Sequence, residues 1–308
     1  MLSMDDAPRA QPGLPPHTIA PPSTGLIERT RLVTELRAAS NRPVRRPPGA
    51  PDALNVTLVA FYGEKPPGLR ARIRDVQALL QRTLGSAFAP YDMRQVHATI
   101  VGLEGLRTTD GVVVNANYAH LRGQRVPAVP EKALQLARET PLLPVTVRLG
   151  GYRAGAVYPF QSRGEHPYAR SFSFQGESAV MVGWPAESRE GPGTLDELRR
   201  GFGQVGALHK YHGSPDDVDN DLFFVLGWVH RGGVDEGTLR DVEERVRRSM
   251  AAGCLDVILD RSVLQLVRYA NPSLPSDSSV GFPVDVDTGR AAGGVPELRP
   301  VPLRATPR

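Results

Sequence analysis

The residues best suited to chemistry lie in "QVHATIVGLE" (95–104). Read as a strand, this run alternates its side chains, so Gln95, His97 and Thr99 share one face and Val96, Ala98 and Ile100 the other. An imidazole beside a hydroxyl can move a proton and donate to a phosphate oxygen, because histidine titrates near neutrality and a hydroxyl steadies developing negative charge. Two more histidines, His209 and His212, stand in "HKYHGSPDDVDND" (209–221), a loop that leads into the apolar run "LFFVLGWV" (222–229). Such a loop can return an imidazole to the face of His97. His97, Thr99, His209 and His212 are therefore the candidate catalytic residues. Arg163, Tyr168 and Arg170 in "SRGEHPYARSF", together with Tyr211, are the candidate substrate contacts. Guanidinium forks grip phosphate and tyrosine rings stack on bases.

Other chemistries fit poorly. Asp217, Asp219 and Asp221 alternate like the start of a calcium loop, but Leu222 stands where that loop needs glycine and no glutamate closes it. A transition-metal site built from His209, His212 and nearby aspartates is the competing use of the loop. The expected reaction uses no metal and no cofactor. There is no phosphate-cradling G-x-x-x-x-G-K-[ST] loop and no G-x-G-x-x-G opening a helix after a strand. Cys254 is the single cysteine, which excludes an intramolecular disulfide. The net charge of +4 is a weak nucleic-acid signal by itself.

The elements that must position these residues are legible in the periodicity. "NVTLVAFY" (55–62) is a β-branched, apolar strand, and Leu69, Ile73, Val76 and Leu80 then mark one helix face. "QVHATIVGLE" closes a strand–helix–strand unit. A short helix at 131–139 precedes "VTVRLGG", "RSFSFQG" and "SAVMVGW", which read as three strands. "GTLDELRRGF" aligns Leu195, Leu198 and Phe202 on a helix; a further helix carries Leu239, Val242, Val246 and Met250. "LDVILDRSVLQLVRY" ends the body with one or two strands. The pattern predicts an α+β fold with two strand–helix lobes around a central groove.

Proline sets the expected boundaries. Of 29 prolines, ten fall in residues 1–52 and seven after 271. Residues 1–52 and 272–308 are expected to be largely disordered tails around a body at 53–271, with a short helix near Leu26, Val33 and Leu36 the one exception. No run is long enough to span a bilayer, and the start lacks a secretory pattern. A cytoplasmic protein with no membrane partner is the expectation.

With the strand context of "HATI" (97–100) and this order of elements, residues 53–271 resemble the 2H phosphoesterase superfamily, which includes RNA 2′,3′-cyclic phosphodiesterases described as 2′-5′ RNA ligases. The resemblance implies a bilobal fold with a His-x-Thr/Ser motif on the central strand of each lobe. It also implies metal-independent acid–base hydrolysis of a cyclic phosphodiester on RNA ends or small nucleotides. The second motif is missing. Aligning Gly227 with Gly102 sets Leu222 opposite His97 and Phe224 opposite Thr99, and neither can transfer a proton. A non-catalytic RNA- or nucleotide-binding module derived from the same fold is the alternative.

Overall fold

The structure, a computed structural model, describes residues 55–186 and 193–285. The expectations for residues 1–52, the short helix near Leu26 included, and for 286–308 lie outside the described residues. β1 (Val56–Ala60) leads to α1 (Pro67–Leu84), and the chain returns through β2 (Phe88–Pro90) and β3 (Ala98–Gly102). β4 (Gly105–Arg107) and β5 (Val113–Asn115) pair only with each other. After α2 (Pro130–Glu139) come β6 (Val145–Leu149), the single turn α3 (Pro167–Arg170), β7 (Phe172–Gln175) and β8 (Ser178–Pro185). α4 (Thr194–Gly201), β9 (Leu222–Val229), α5 (Glu236–Ala251), β10 (Leu255–Leu259), β11 (Leu264–Tyr269) and β12 (Ser279–Pro283) follow.

The fold is α+β, as expected, and is dominated by one ten-stranded sheet. Its main path runs β10-β6-β8-β9-β3-β1-β11-β12, with every pair antiparallel. β3 and β9 are neighbours at the centre of that path. The strands carrying "HATI" and "LFFVLGWV" therefore share a seam.

Helix faces settle which side of the sheet becomes the core. α1 opens on Pro67, whose fixed φ suits a first turn, and buries Leu69, Ile73, Val76 and Leu80. α5 is capped by Asp235, which accepts from the Thr238 amide, and buries Leu239, Val242, Val246 and Met250. α4 buries Leu195 and Leu198. All of these meet one row of strand residues, among them Leu58, Ile100, Val147, Met181 and Phe224, in a single core. The other side of the sheet bears two small apolar patches, around Val59 and Val267 and around Val180, Val182 and Trp184. β3 lies between them.

Two expected boundaries move. The strand begins at Ala98, not Gln95: the Gln95 amide donates to Asp92 O in a turn, and Gln95 is a turn residue rather than a strand neighbour of Thr99. The body also runs past residue 271, because β12 pairs along β11 and buries Leu274 and Val284. The prolines at 272, 275 and 283 misled here; Pro283 sits at a strand end, where a missing amide is tolerated.

Candidate functional site

Register along the central seam decides what faces His97. Ala98 pairs with Phe224, and residues directly opposite in an antiparallel pair share a face. Ala98 and Phe224 both point into the core. His97 and Thr99 therefore face the other way, in company with Val225 and Phe223, and all four are half-buried. This corrects the alignment on glycine, which set Leu222 and Phe224 opposite the motif. Those two are core residues. A slip of one residue exchanges every side chain between faces.

The two glycines are also not equivalent. Gly227 has φ +156°, and a Cβ there would run into the Ala89 carbonyl of β2. Gly102 instead makes room for the Glu104 carboxylate folded over it. Matching letters came from unrelated steric demands.

His97 is held in one tautomer. Its Nδ1–H donates to Gln95 O at 2.7 Å, because a carbonyl can only accept, and this leaves Nε2 as the nitrogen with a lone pair. The Tyr62 ring packs edge-on at 6.2 Å. Burial, aided by the nearby Lys65 and Lys210 ammonium groups, lowers the imidazole pKa to about 4. His97 is neutral at pH 7. Lys65 is itself buried, donates to Gly63 O at 3.0 Å, and has its pKa lowered by burial to about 8.

Across the seam lies an aromatic and cationic group. The Lys210 ammonium stands 4.5 Å from the centre of the Phe223 ring and 4.7 Å from that of Tyr211. The Arg163 guanidinium covers Tyr211 at 3.6 Å. Burial would raise the Tyr211 pKa, but the Lys210 and Arg163 charges bring it below the ordinary phenol value. Among the described residues three that are not glycine adopt positive φ, namely Phe61, Arg163 and Leu274. Phe61 redirects the chain so that Tyr62 and Lys65 follow it, Leu274 packs with Tyr62, and Arg163 lies on Tyr211. Strained backbone of this kind costs roughly 1–3 kcal/mol per residue and clusters where side chains must be placed exactingly.

The two loop histidines have another task. His209 Nε2 lies 2.7 Å from Asp219 Oδ2, and His212 Nε2 lies 2.8 Å from Asp196 Oδ1. Both imidazoles are buried. Burial and the Arg199 charge lower the His209 pKa to about 3 against the pull of Asp219, so its Nε2–H donates to the carboxylate. Burial of Asp219 would raise its pKa, but His209, Arg199 and Arg163 hold it well below the carboxylate range. Arg199, fully buried on α4, donates to Thr99 O, Ile100 O, Asp219 O, Asp219 Oδ2 and Asp221 O. It bridges the seam where the β3–β9 ladder opens beyond its single paired residue. Asp221 accepts from Ser162, Trp184 and Arg170 and is also paired with Arg163.

The eight candidate residues thus divide. His97 and Thr99 face the side of the sheet opposite the core, and Tyr211 reaches that face through Lys210 and Phe223. Arg163 joins it through Tyr211 while pairing with Asp219 and Asp221. His209, His212 and Arg170 serve the buried network. Tyr168 donates to Glu244 of α5 at 2.7 Å. Among the described residues no group of three or more histidine, cysteine or acidic side chains is arranged to hold a metal ion. Asp219 and Asp221 already receive arginines. Sequence reasoning missed Lys65, Lys210 and Phe223. Lys210 stood inside the quoted "HKYHG", but only the ring of Phe223 gives it a place.

The fold and site define an antiparallel α+β protein with a histidine–threonine pair at its central seam. No family model and no curated protein matches the chain. Among solved structures it is similar to TT0787 of Thermus thermophilus, at 15% identity and a TM-score of 0.34, covering 75% of this chain and 94% of that one. It is also similar to ATU0111 of Agrobacterium tumefaciens str. C58, a conserved protein of unknown function, at 15% identity and 0.36, covering 76% and 91%. Likeness at this level carries no argument about activity. Among the described residues no helix is long and apolar enough to cross a membrane.

Proposed function

We propose that the face over His97 and Thr99 binds the phosphate of an RNA end or small nucleotide, and that the chain is a 2H-like binding module lacking the second catalytic histidine. The observation that carries this reading is the seam itself: β9 offers Phe223 and Val225 opposite Thr99 and His97. Hydrolysis of a cyclic phosphodiester needs one group to activate water and another to protonate the leaving oxygen. His97 can supply one role through Nε2. His209 and His212, the candidates for the other, are committed to Asp219 and Asp196. Binding keeps its support: the Thr99 hydroxyl and two nearby ammonium groups can donate to a phosphate, and the His97 imidazole joins them once the bound anion draws a proton to Nε2.

The test uses the full chain and short RNAs ending in a 2′,3′-cyclic phosphate, a terminal monophosphate or a free hydroxyl. Binding of the phosphorylated ends, weakening as salt rises, with no turnover of the cyclic end, is the expected result. Turnover abolished by His97→Ala would replace this reading with the metal-independent phosphodiesterase that the resemblance implies. Equal affinity for all three ends would remove the phosphate site.

A further inference from the structure

We infer that Lys210, seated on the rings of Phe223 and Tyr211, stands in for the missing second histidine as a phosphate contact, and that the site takes a terminal phosphomonoester in preference to a cyclic phosphodiester. The inference rests on the phosphate-binding reading above and names its ligand class.

The antiparallel seam relates its two strands by a local two-fold. With Ala98 opposite Phe224, one step back along each chain matches His97 with Phe223, and one step forward matches Thr99 with Val225. A phenylalanine thus holds the place of the second histidine. Its ring does not act on a phosphate, but it holds a group that can: the Lys210 ammonium, 4.5 Å from the ring centre and 4.7 Å from that of Tyr211. An aromatic face attracts a cation without neutralising it, and the ammonium N–H groups still have donors to give.

Neutralisation separates this lysine from the arginines around it. Arg163, Arg170 and Arg199 each hold Asp219 or Asp221. Among the described residues no carboxylate forms an ion pair with Lys210, and the Lys65 ammonium donates to the Gly63 carbonyl. Both ammonium charges bear on the His97 ring. Asp92 and Glu64 bear on Lys65, and Glu104 on Lys210, only at longer range. Two cations outside any ion pair among the described residues match a dianion better than a monoanion. A phosphomonoester carries about −1.5 to −2 charges at pH 7, whereas a cyclic diester carries a single negative charge. An ammonium on aromatic rings also serves binding without the proton shuttling a second histidine would provide.

Calorimetric titration of the full chain with adenosine 2′-monophosphate, adenosine 3′-monophosphate and adenosine 2′,3′-cyclic monophosphate tests the inference. At least one monophosphate is expected to bind roughly 10-fold tighter than the cyclic ester, the scale of one added charged hydrogen bond. Lys210→Met keeps the length of the chain and removes the charge; it should abolish that preference, and Lys210→Arg should restore it. Phe223→Leu, which fills the site without a ring, should weaken monophosphate binding about 3-fold. Lys210 is exposed, so its variants should melt like the parent. A cyclic ester bound as tightly as both monophosphates, or a preference that survives Lys210→Met, would overturn the inference while leaving the phosphate site standing. Failure of all three esters to bind would sink the phosphate-binding reading itself.

Discussion

Histidine occurs on both sides of the β3–β9 seam, in two different electrostatic settings. In the network below the 209–221 loop, His209 and His212 each meet a carboxylate, and Arg163, Arg170, Arg199 and Arg200 are all paired with aspartates. At His97 the neighbouring cations are lysines held by a carbonyl and by aromatic rings. Charges closed into ion pairs hold the frame, whereas the two ammonium groups at the half-buried imidazole lie outside any ion pair among the described residues, with Asp92, Glu64 and Glu104 bearing on them only at longer range. The loop histidines, the more conspicuous cluster in the sequence, are built into the frame, whereas the lone histidine lies on the face proposed for the ligand.

The comparison breaks most visibly at Arg199. Arg199→Met would leave Asp219 and four backbone carbonyls short of a buried donor, so a loss of about 3–5 kcal/mol is expected in urea unfolding. An Arg199 variant with parental stability but lost ligand affinity would move the network into the site. Acid probes the same network more gradually. His209 has a folded pKa of about 3 against an ordinary value near 6.5, so between those values the unfolded chain binds the extra proton and stability falls as pH drops. Its slope approaches about 1.4 kcal/mol per pH unit. His97 adds to the loss in the part of the window above pH 4, and the depressed Asp219 adds a further loss below the ordinary carboxylate range. Stability that stays flat from pH 6.5 to 4 would show that His209 is not held neutral.

The other side of the comparison can be sharpened by adding what the seam lacks. Phe223→His with Val225→Thr places a second His-x-Thr motif at the two-fold-related positions. Turnover of a 2′,3′-cyclic nucleotide, absent in the parent, is expected to appear in this variant and to fall by ~10²-fold when His97→Ala is added, the lower range for one acid–base group. No gain in a variant that still folds would show that the two strand positions are not related as the register implies. The smallest effect belongs to His97 itself. His97→Ala should leave the melting temperature nearly unchanged and weaken monophosphate binding ~10-fold. A bound phosphate offsets the Lys65 and Lys210 charges, so the imidazole titration followed by NMR should move upward from about 4. A titration that ignores the ligand would place the phosphate elsewhere.

Local pattern determined much of this protein. The order of strands and helices followed from apolar spacing, because a 3.6-residue stripe and a two-residue alternation bury their faces in only a few ways. "HATI" at a strand start marked His97 and Thr99 for the same reason. Tertiary structure alone decided the rest. Which face of β9 accompanies His97 hung on register, and "LFFVLGWV" is apolar at both parities, so its letters could not choose between Phe223 and Phe224. The burial of His209 and His212 was equally hidden, since a polar loop reads alike whether it faces water or a set of carboxylates. Arg199 and Arg200 make the limit plain. Adjacent and identical in type, they point about 100° apart around α4. One is fully buried and bridges the central seam, while the other, half-buried, pairs with the buried Asp196. The stripe of Leu195, Leu198 and Phe202 already sets position 199 on the buried face. What Arg199 bonds there depends on the position of β3 and of residues 219–221 in space, which no periodicity in α4 records.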